Sequence, residues 1–199
     1  MSEKQLYIIT NGSLADDERK FQDKIVEIIS RESKRSFALV LREQVGNNPA
    51  SDKLLYTLGL KIKDLCVKHD IKLIMHRRLD IALAINADGV HLNAASLSIA
   101  QVRKLAKDSL LVGYSAHSIG EILNAEKSGA DYVFLSPIFA SLSKPDHTRP
   151  PLGIEALTEI SGQISIPVIA LGGITPINAQ DCISAGAFGY ASIGSLWKE

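Results

Sequence analysis

The stretch 113-GYSAHSIGE-121 places His117 between Ser115 and Ser118, where a strand-like apolar run gives way to a helical pattern. An imidazole titrates near neutral pH, so one ring can both take a proton and return it. Ser115 supplies a hydrogen-bonding hydroxyl nearby. A second set is cationic: Arg42, His76, Arg77 and Arg78 stand at the ends of apolar runs, and Lys144 and Arg149 lie in a long polar loop. Glu43 is the one evident acid among them. Because the chain carries 22 basic and 22 acidic residues, a basic cluster on a neutral molecule points to a small anionic ligand. A third set is small: Gly172-Gly173 lets backbone approach a ligand, and Gly194-Ser195 opens a last helical turn whose free N–H groups suit an anion. Together they read as a phosphate site, against the plainer reading that the glycines relieve local crowding.

These residues need a scaffold that brings them together. Apolar runs recur at 6–10, 37–41, 72–76, 89–93, 110–115, 131–136, 167–173 and 189–194. They are continuous rather than alternating, as in a parallel sheet covered on both faces. Helical periodicity fills the intervals, most clearly in DERKFQDKIVEIISRE, SDKLLYTLGLKIKDLCVKHD with Ser51 as N-cap, IEALTEI and PINAQDCISAG, and in the short LDIALAIN. A weak repeat, Ala87-Asp88-Gly89-Val90, Ala130-Asp131-Tyr132-Val133 and Ala187-Phe188-Gly189-Tyr190, marks helix ends running into strands. Gly129 and Gly186 stand where helix-terminating glycines are expected. Eight such units predict an α/β protein of the (β/α)8 TIM-barrel class, a single domain over 1–199. A doubly wound open sheet uses the same unit, but no G-x-G-x-x-G follows the first strand. The eighth helix is nearly absent, since the chain stops at SLWKE; that end is expected to be closed by a short stub, by a partner subunit in a homo-oligomer, or incompletely. In a barrel the residues after each strand share one rim, which gathers Thr10, Arg42, Glu43, His76, Arg77, Arg78, Asn93, Ser115, His117, Ser136, the 137–153 loop and the glycine pairs.

Charge balance excludes the footprint of nucleic-acid binding, and no polybasic or long apolar run addresses a membrane. The N-terminal MSEKQLYIIT lacks the make-up of a signal peptide, so a cytoplasmic location is expected. Cys66 and Cys182 are isolated and read as buried thiols, with neither disulfide nor zinc indicated. Asp80, Asp88 and Asp131 read as structural residues at helix ends, His69 as solvated, and His91 as a satisfied core histidine, with a ring pointing into the barrel as the alternative.

The pieces FALVLRE, LIMHRRLDIALAINADGVHLN, VGYSAHSIGEILNAEKSGADYVFLSPIFASLSK, PPLGIEAL and IPVIALGGITPINAQDCISAGAFGYASIGS together resemble the thiamine phosphate synthase and TenI family, from 6 to the end of the chain. The resemblance implies a (β/α)8 barrel acting on a thiazole phosphate, or binding thiamine phosphate, with phosphate held after strands seven and eight. The synthase branch carries Gln-x-Arg-x-Lys after strand two, where this chain has Val40, Arg42 and Gln44. Its Asn-Asp after strand three is His76-Arg77 here, and its Gly-Gln-x-Asp after strand four is Asn93-Ala94-Ala95-Ser96. The two aspartates bind the Mg²⁺ that stabilises a leaving pyrophosphate; an arginine and a serine supply no such oxygen pair. The TenI branch is the closer match, sharing Arg-Glu after strand two, an arginine at Arg78 and G-x-S-x-H-S. It implies a thiazole tautomerase that aromatises a carboxythiazole phosphate with no metal or other cofactor. In that reading His117 is the acid/base and Ser115 its neighbour; Arg42, Glu43, His76, Arg78 and Lys144 bind substrate; Gly172, Gly173, Gly194 and Ser195 bind phosphate. Two alternatives stand beside it: a thiamine phosphate synthase joining a pyrimidine pyrophosphate to a thiazole phosphate, and a non-catalytic thiamine-phosphate-binding regulator.

Overall fold

The computed structural model describes residues 5–12, 17–32, 37–42, 44–45, 48–49, 51–140 and 149–193. Eight parallel strands close on themselves: β1 (Gln5–Ile9), β2 (Phe37–Leu41), β5 (Lys72–His76), β6 (Gly89–Leu92), β7 (Leu111–Ala116), β8 (Tyr132–Leu135), β9 (Val168–Ala170) and β10 (Gly189–Ser192). Strand β1 pairs with both β2 and β10, which shuts the ring and rules out the open sheet. The helices are α1 (Glu18–Glu32), α2 (Asp52–Lys68), α3 (Leu79–Ala84), α4 (Ile99–Ala106), α5 (Ile119–Lys127), α6 (Gly153–Ser161) and α7 (Ala179–Ser184). Between β2 and α2 a two-residue ladder pairs β3 (Gln44–Val45) with β4 (Asn48–Pro49), an element the sequence reading lacks. Residues 194–199, where the short eighth helix is expected, lie outside the described residues. Among the described residues no helix is long and apolar enough to cross a membrane.

Side-chain alternation sorts the strands into two cores. Outward residues such as Ile8, Leu39, Leu73, Met75, Val112 and Val133 pack on Phe21, Ile25, Leu58, Ile62 and Val102 of the helices. Inward residues Tyr7, Ile9, Ala38, Val40, Ile74, Tyr132, Phe134, Ile169 and Ala191 fill the barrel. Cys66 and Cys182 belong to the outer core, and burial pushes their thiols up to about 12 and about 11. Both are free, buried thiols, as expected.

The Ala-Asp repeat has a physical basis. In all three copies the residue after alanine donates its backbone N–H to the start of the preceding strand: Asp88 to Leu73, Asp131 to Val112 and Phe188 to Val168. In two copies the aspartate also binds back. Asp88 Oδ2 accepts from Leu73 N (2.8 Å) and Lys63 Nζ (2.7 Å), and Asp131 Oδ2 from Val112 N and the Arg103 guanidinium (both 2.6 Å). Each aspartate thus ties a strand start to the helix before that strand, Lys63 lying in α2 and Arg103 in α4. The third copy has Phe188 instead. Arg103 lies against Gly129, and in the third copy it is Ser161 that lies against Gly186. Ser161 Oγ is buried with no hydrogen-bond partner among the described residues. Asn86, Gly129 and Gly186 close the three helices at φ 51°, 92° and 92°, the left-handed conformation that helix termination needs.

Candidate functional site

Read from bottom to top, the inner face of β7 carries Gly113, then Ser115, and beyond the strand His117, because alternate residues share a face. Each has its own reason. A Cβ on residue 113 would land on the Tyr132 ring and 2.5 Å from His91 Nδ1, so glycine makes room for a ring pair at the barrel centre. His91, on β6, is 2% exposed and fully engaged: Nδ1 lies 3.3 Å from Tyr132 Oη, Nε2 lies 2.9 Å from Ser115 Oγ, and its ring stacks on Phe134 at 4.0 Å. Burial, then the neighbouring His76, hold its pKa well below the usual histidine range, so it is neutral. The expectation of a satisfied core histidine is met, and the ring also points into the barrel, the alternative to that reading, with Tyr132 and Ser115 as its partners.

His117 sits at the mouth. Its Nδ1 is 2.6 Å from the Ser136 carbonyl oxygen, with Ser136 Oγ 3.4 Å away. A carbonyl only accepts, so Nδ1 carries the proton and, in the neutral ring, Nε2 keeps its lone pair. The backbone is pinned too: His117 N donates to Glu121 Oε2 (2.8 Å), while Ser118 caps α5 by accepting from Glu121 N. Nε2 has no partner among the described residues, and the ring is half-buried.

The cationic residues divide. Arg42 N donates to the fully buried Thr10 Oγ1 at 2.7 Å, which fixes where the Arg42 side chain leaves the rim. His76 is pushed down to about 4 by burial, by Arg42 and by Arg77, so it is neutral at pH 7 and both guanidinium groups lie close to it. Arg77 adopts φ 66°, an uncommon conformation for a side-chain-bearing residue, and its Nη2 donates to Ala95 O at 3.3 Å. Arg78, expected to bind substrate, points elsewhere. Its guanidinium joins Asp80 (2.6 and 2.9 Å) and Asp52 (2.6 Å), clamping the first turns of α2 and α3. Arg42 and Arg77 are thus the two arginines whose charges act on His76 at the rim. Glu43, Lys144, Gly194 and Ser195 lie outside the described residues.

At Gly172 (φ 95°) and Gly173 (φ 65°) an added Cβ would collide with Pro137 at 2.8 Å and with Ala140 O at 2.5 Å. Crowding by the segment after β8 therefore demands glycine in its own right. The carbonyls are occupied, by Phe139 N at Gly172 and by Asn178 Nδ2 at Gly173, whereas neither amide N–H has an acceptor among the described residues. Two adjacent free N–H groups are what an anion needs. The turn 93–96 is closed on itself: Ser96 Oγ and Ala95 N donate to Asn93 Oδ1 at 3.1 and 3.0 Å. Nothing in His76-Arg77 or in this turn offers the carboxylate oxygens that Mg²⁺ favours, so these residues do not fit a divalent cation.

Sequence reading passed over Tyr132 at the barrel centre, and left Arg77 and Arg78 as alternatives at the rim. The first was recoverable: Tyr132 pairs with Gly113 across the β7–β8 ladder, and a glycine inside a strand signals a close approach.

The chain matches the thiamine monophosphate synthase family over residues 6–196. It is 36% identical over 191 residues to the thiamine-phosphate synthase of Methanospirillum hungatei, covering 96% of this chain and 88% of that protein. Over 194 residues it is 34% identical to the thiamine-phosphate synthase of Clostridium novyi, covering 98% and 91%. The solved thiamine phosphate pyrophosphorylase from Pyrococcus furiosus superposes with a TM-score of 0.82 at 29% identity, covering 98% of this chain and 89% of that one. With a closed eight-strand barrel and a family match along nearly its whole length, the chain belongs to the thiamine monophosphate synthase (TMP-TENI) family, enzymes of thiamine biosynthesis.

Proposed function

We propose that this barrel is a thiazole tautomerase-like isomerase that aromatises a carboxythiazole phosphate by proton transfer at His117. The observation that carries the reading is the 2.6 Å contact between His117 Nδ1 and the Ser136 carbonyl. It leaves Nε2 as a base at the mouth and stabilises the imidazolium once Nε2 has taken a proton. Nε2 removes the proton from the ring carbon, and the same nitrogen returns a proton to the exocyclic carbon, so the base is regenerated and the substrate leaves as its isomer. Arg42 and Arg77, with Lys144 and Glu43 as further candidates, hold the carboxylate and the charge that develops during the shift. Gly172 and Gly173 offer amides to the phosphate, joined by Gly194 and Ser195. No pyrophosphate departs in this reaction, which suits a mouth with an arginine where the synthases hold a Mg²⁺ ligand.

The second reading is thiamine phosphate synthase, a transferase, and the names of the similar proteins favour it. Two assays separate the readings. Ultraviolet absorbance follows aromatisation of the exocyclic-alkene carboxythiazole phosphate; chromatography follows thiamine phosphate formed from pyrimidine pyrophosphate, thiazole phosphate and Mg²⁺. Aromatisation without metal, lost in His117→Gln, supports the isomerase. Product formation only in the second assay overturns it.

A further inference from the structure

A ring pair sealed inside the barrel has a direction, and the direction ends at the active-site mouth. Among the described residues Tyr132 Oη has one partner, His91 Nδ1 at 3.3 Å, and Tyr132 is 3% exposed. Burial, then Tyr7 and Asp131, hold its phenol protonated. A buried O–H hydrogen without an acceptor costs more than an unused oxygen lone pair, so the hydrogen goes to Nδ1. A neutral imidazole has one N–H; with Nδ1 accepting, the proton sits on Nε2 and is donated to Ser115 Oγ at 2.9 Å. Ser115 has no other partner among the described residues, so its own hydrogen is left to point at whatever occupies the mouth. The rings cannot drift out of line: His91 stacks on Phe134 at 4.0 Å, Tyr132 on Tyr7 at 5.0 Å, and Gly113 leaves no Cβ between them.

We propose that Tyr132 and His91 are positioning residues that turn the Ser115 hydroxyl into an obligate hydrogen-bond donor toward the bound ligand. The chain Tyr132 O–H to His91 Nδ1, His91 Nε2–H to Ser115 Oγ, Ser115 O–H to ligand moves no proton in the resting protein. It reserves the hydroxyl for an acceptor on the substrate, such as the thiazole carboxylate. This step rests on the small-anion reading of the mouth, and its core holds whichever reaction runs there.

Nitrogen-15 NMR of the histidine side chains tests it directly. In the wild type His91 is expected wholly as the neutral Nε2–H tautomer; Tyr132→Phe, which keeps the ring and removes the hydroxyl, should release it into a mixture. An Nδ1–H ring in the wild type, or an unchanged tautomer in Tyr132→Phe, overturns the proposal. With carboxythiazole phosphate as probe, folded Tyr132→Phe and His91→Gln should lower kcat by roughly 10-fold, about one directed hydrogen bond, while KM moves little. Wild-type kcat in a folded Tyr132→Phe also overturns it. If the wild type does not turn this probe over, the isomerase reading falls, and the tautomer measurement still decides the relay.

Discussion

Gly113→Ala is the sharpest single perturbation of this barrel. The new methyl would meet Tyr132 and stand 2.5 Å from His91 Nδ1, where ordinary contacts lie at about 3.5–4.0 Å. Neither ring can retreat, since Tyr132 stacks on Tyr7 at 5.0 Å and His91 lies on Phe134 at 4.0 Å while bonded to Ser115. Overpacking of a rigid core costs about 1–3 kcal/mol, and the lost His91 bonds add about 1 kcal/mol. The expected loss is therefore about 2–4 kcal/mol, or roughly 5–15 °C in Tm for a chain of this size. Gly120→Ala is the control, because a Cβ there meets nothing within 4 Å and the site is in α5; it should stabilise by about 0.5–1 kcal/mol. Urea unfolding at constant m-value measures both. If Gly113→Ala falls within about 0.5 kcal/mol of the wild type, the packing argument for the barrel centre is wrong.

Three further outcomes follow from the same geometry. His76, depressed to about 4 against an unfolded value near 6.5, contributes stability that is complete above pH 6.5 and is lost as pH falls toward 4, on the order of 3 kcal/mol, and His76→Asn should flatten that part of the stability–pH curve. Asp131→Ala strips Arg103 and Val112 N of a shared acceptor and should cost about 1–3 kcal/mol by denaturant titration, discounted toward the low end by the partial exposure of the pair. Ser161→Ala removes a buried hydroxyl that lacks a partner among the described residues and should raise stability by about 1 kcal/mol, read as a higher Tm.

The barrel was legible because its strands are written as unbroken apolar runs; β2 and β5 appear at the residues expected, and Ser51 caps α2 by accepting from Leu54 N. Helix α4 is missing from the periodicity reading, although Ser98 and Gln101 spell a capping box. The mouth was legible in outline, because position after a strand is enough to place Arg42, His76 and His117 on one rim. Which arginine serves the mouth was not: Arg77 and Arg78 are neighbours, and the choice depends on Asp52, 26 residues before Arg78 and beside it only after folding. The His117 proton and the Ser115 partner depend likewise on carbonyl and ring positions contributed by other strands.

The aspartate ties also bear on how such a barrel assembles. Lys63 reaches Asp88 across 25 residues and Arg103 reaches Asp131 across 28, so each tie closes a loop little longer than one helix–strand–helix unit. Loops of similar length cost nearly equal closure entropy. Ring formation can then proceed as a run of comparable local steps along the middle of the chain, with the pairing of β1 to β10 as the one long-range event. The third copy, with Phe188 in place of the aspartate, sits next to that seam, so the closing pair of strands forms without such a tie at its start.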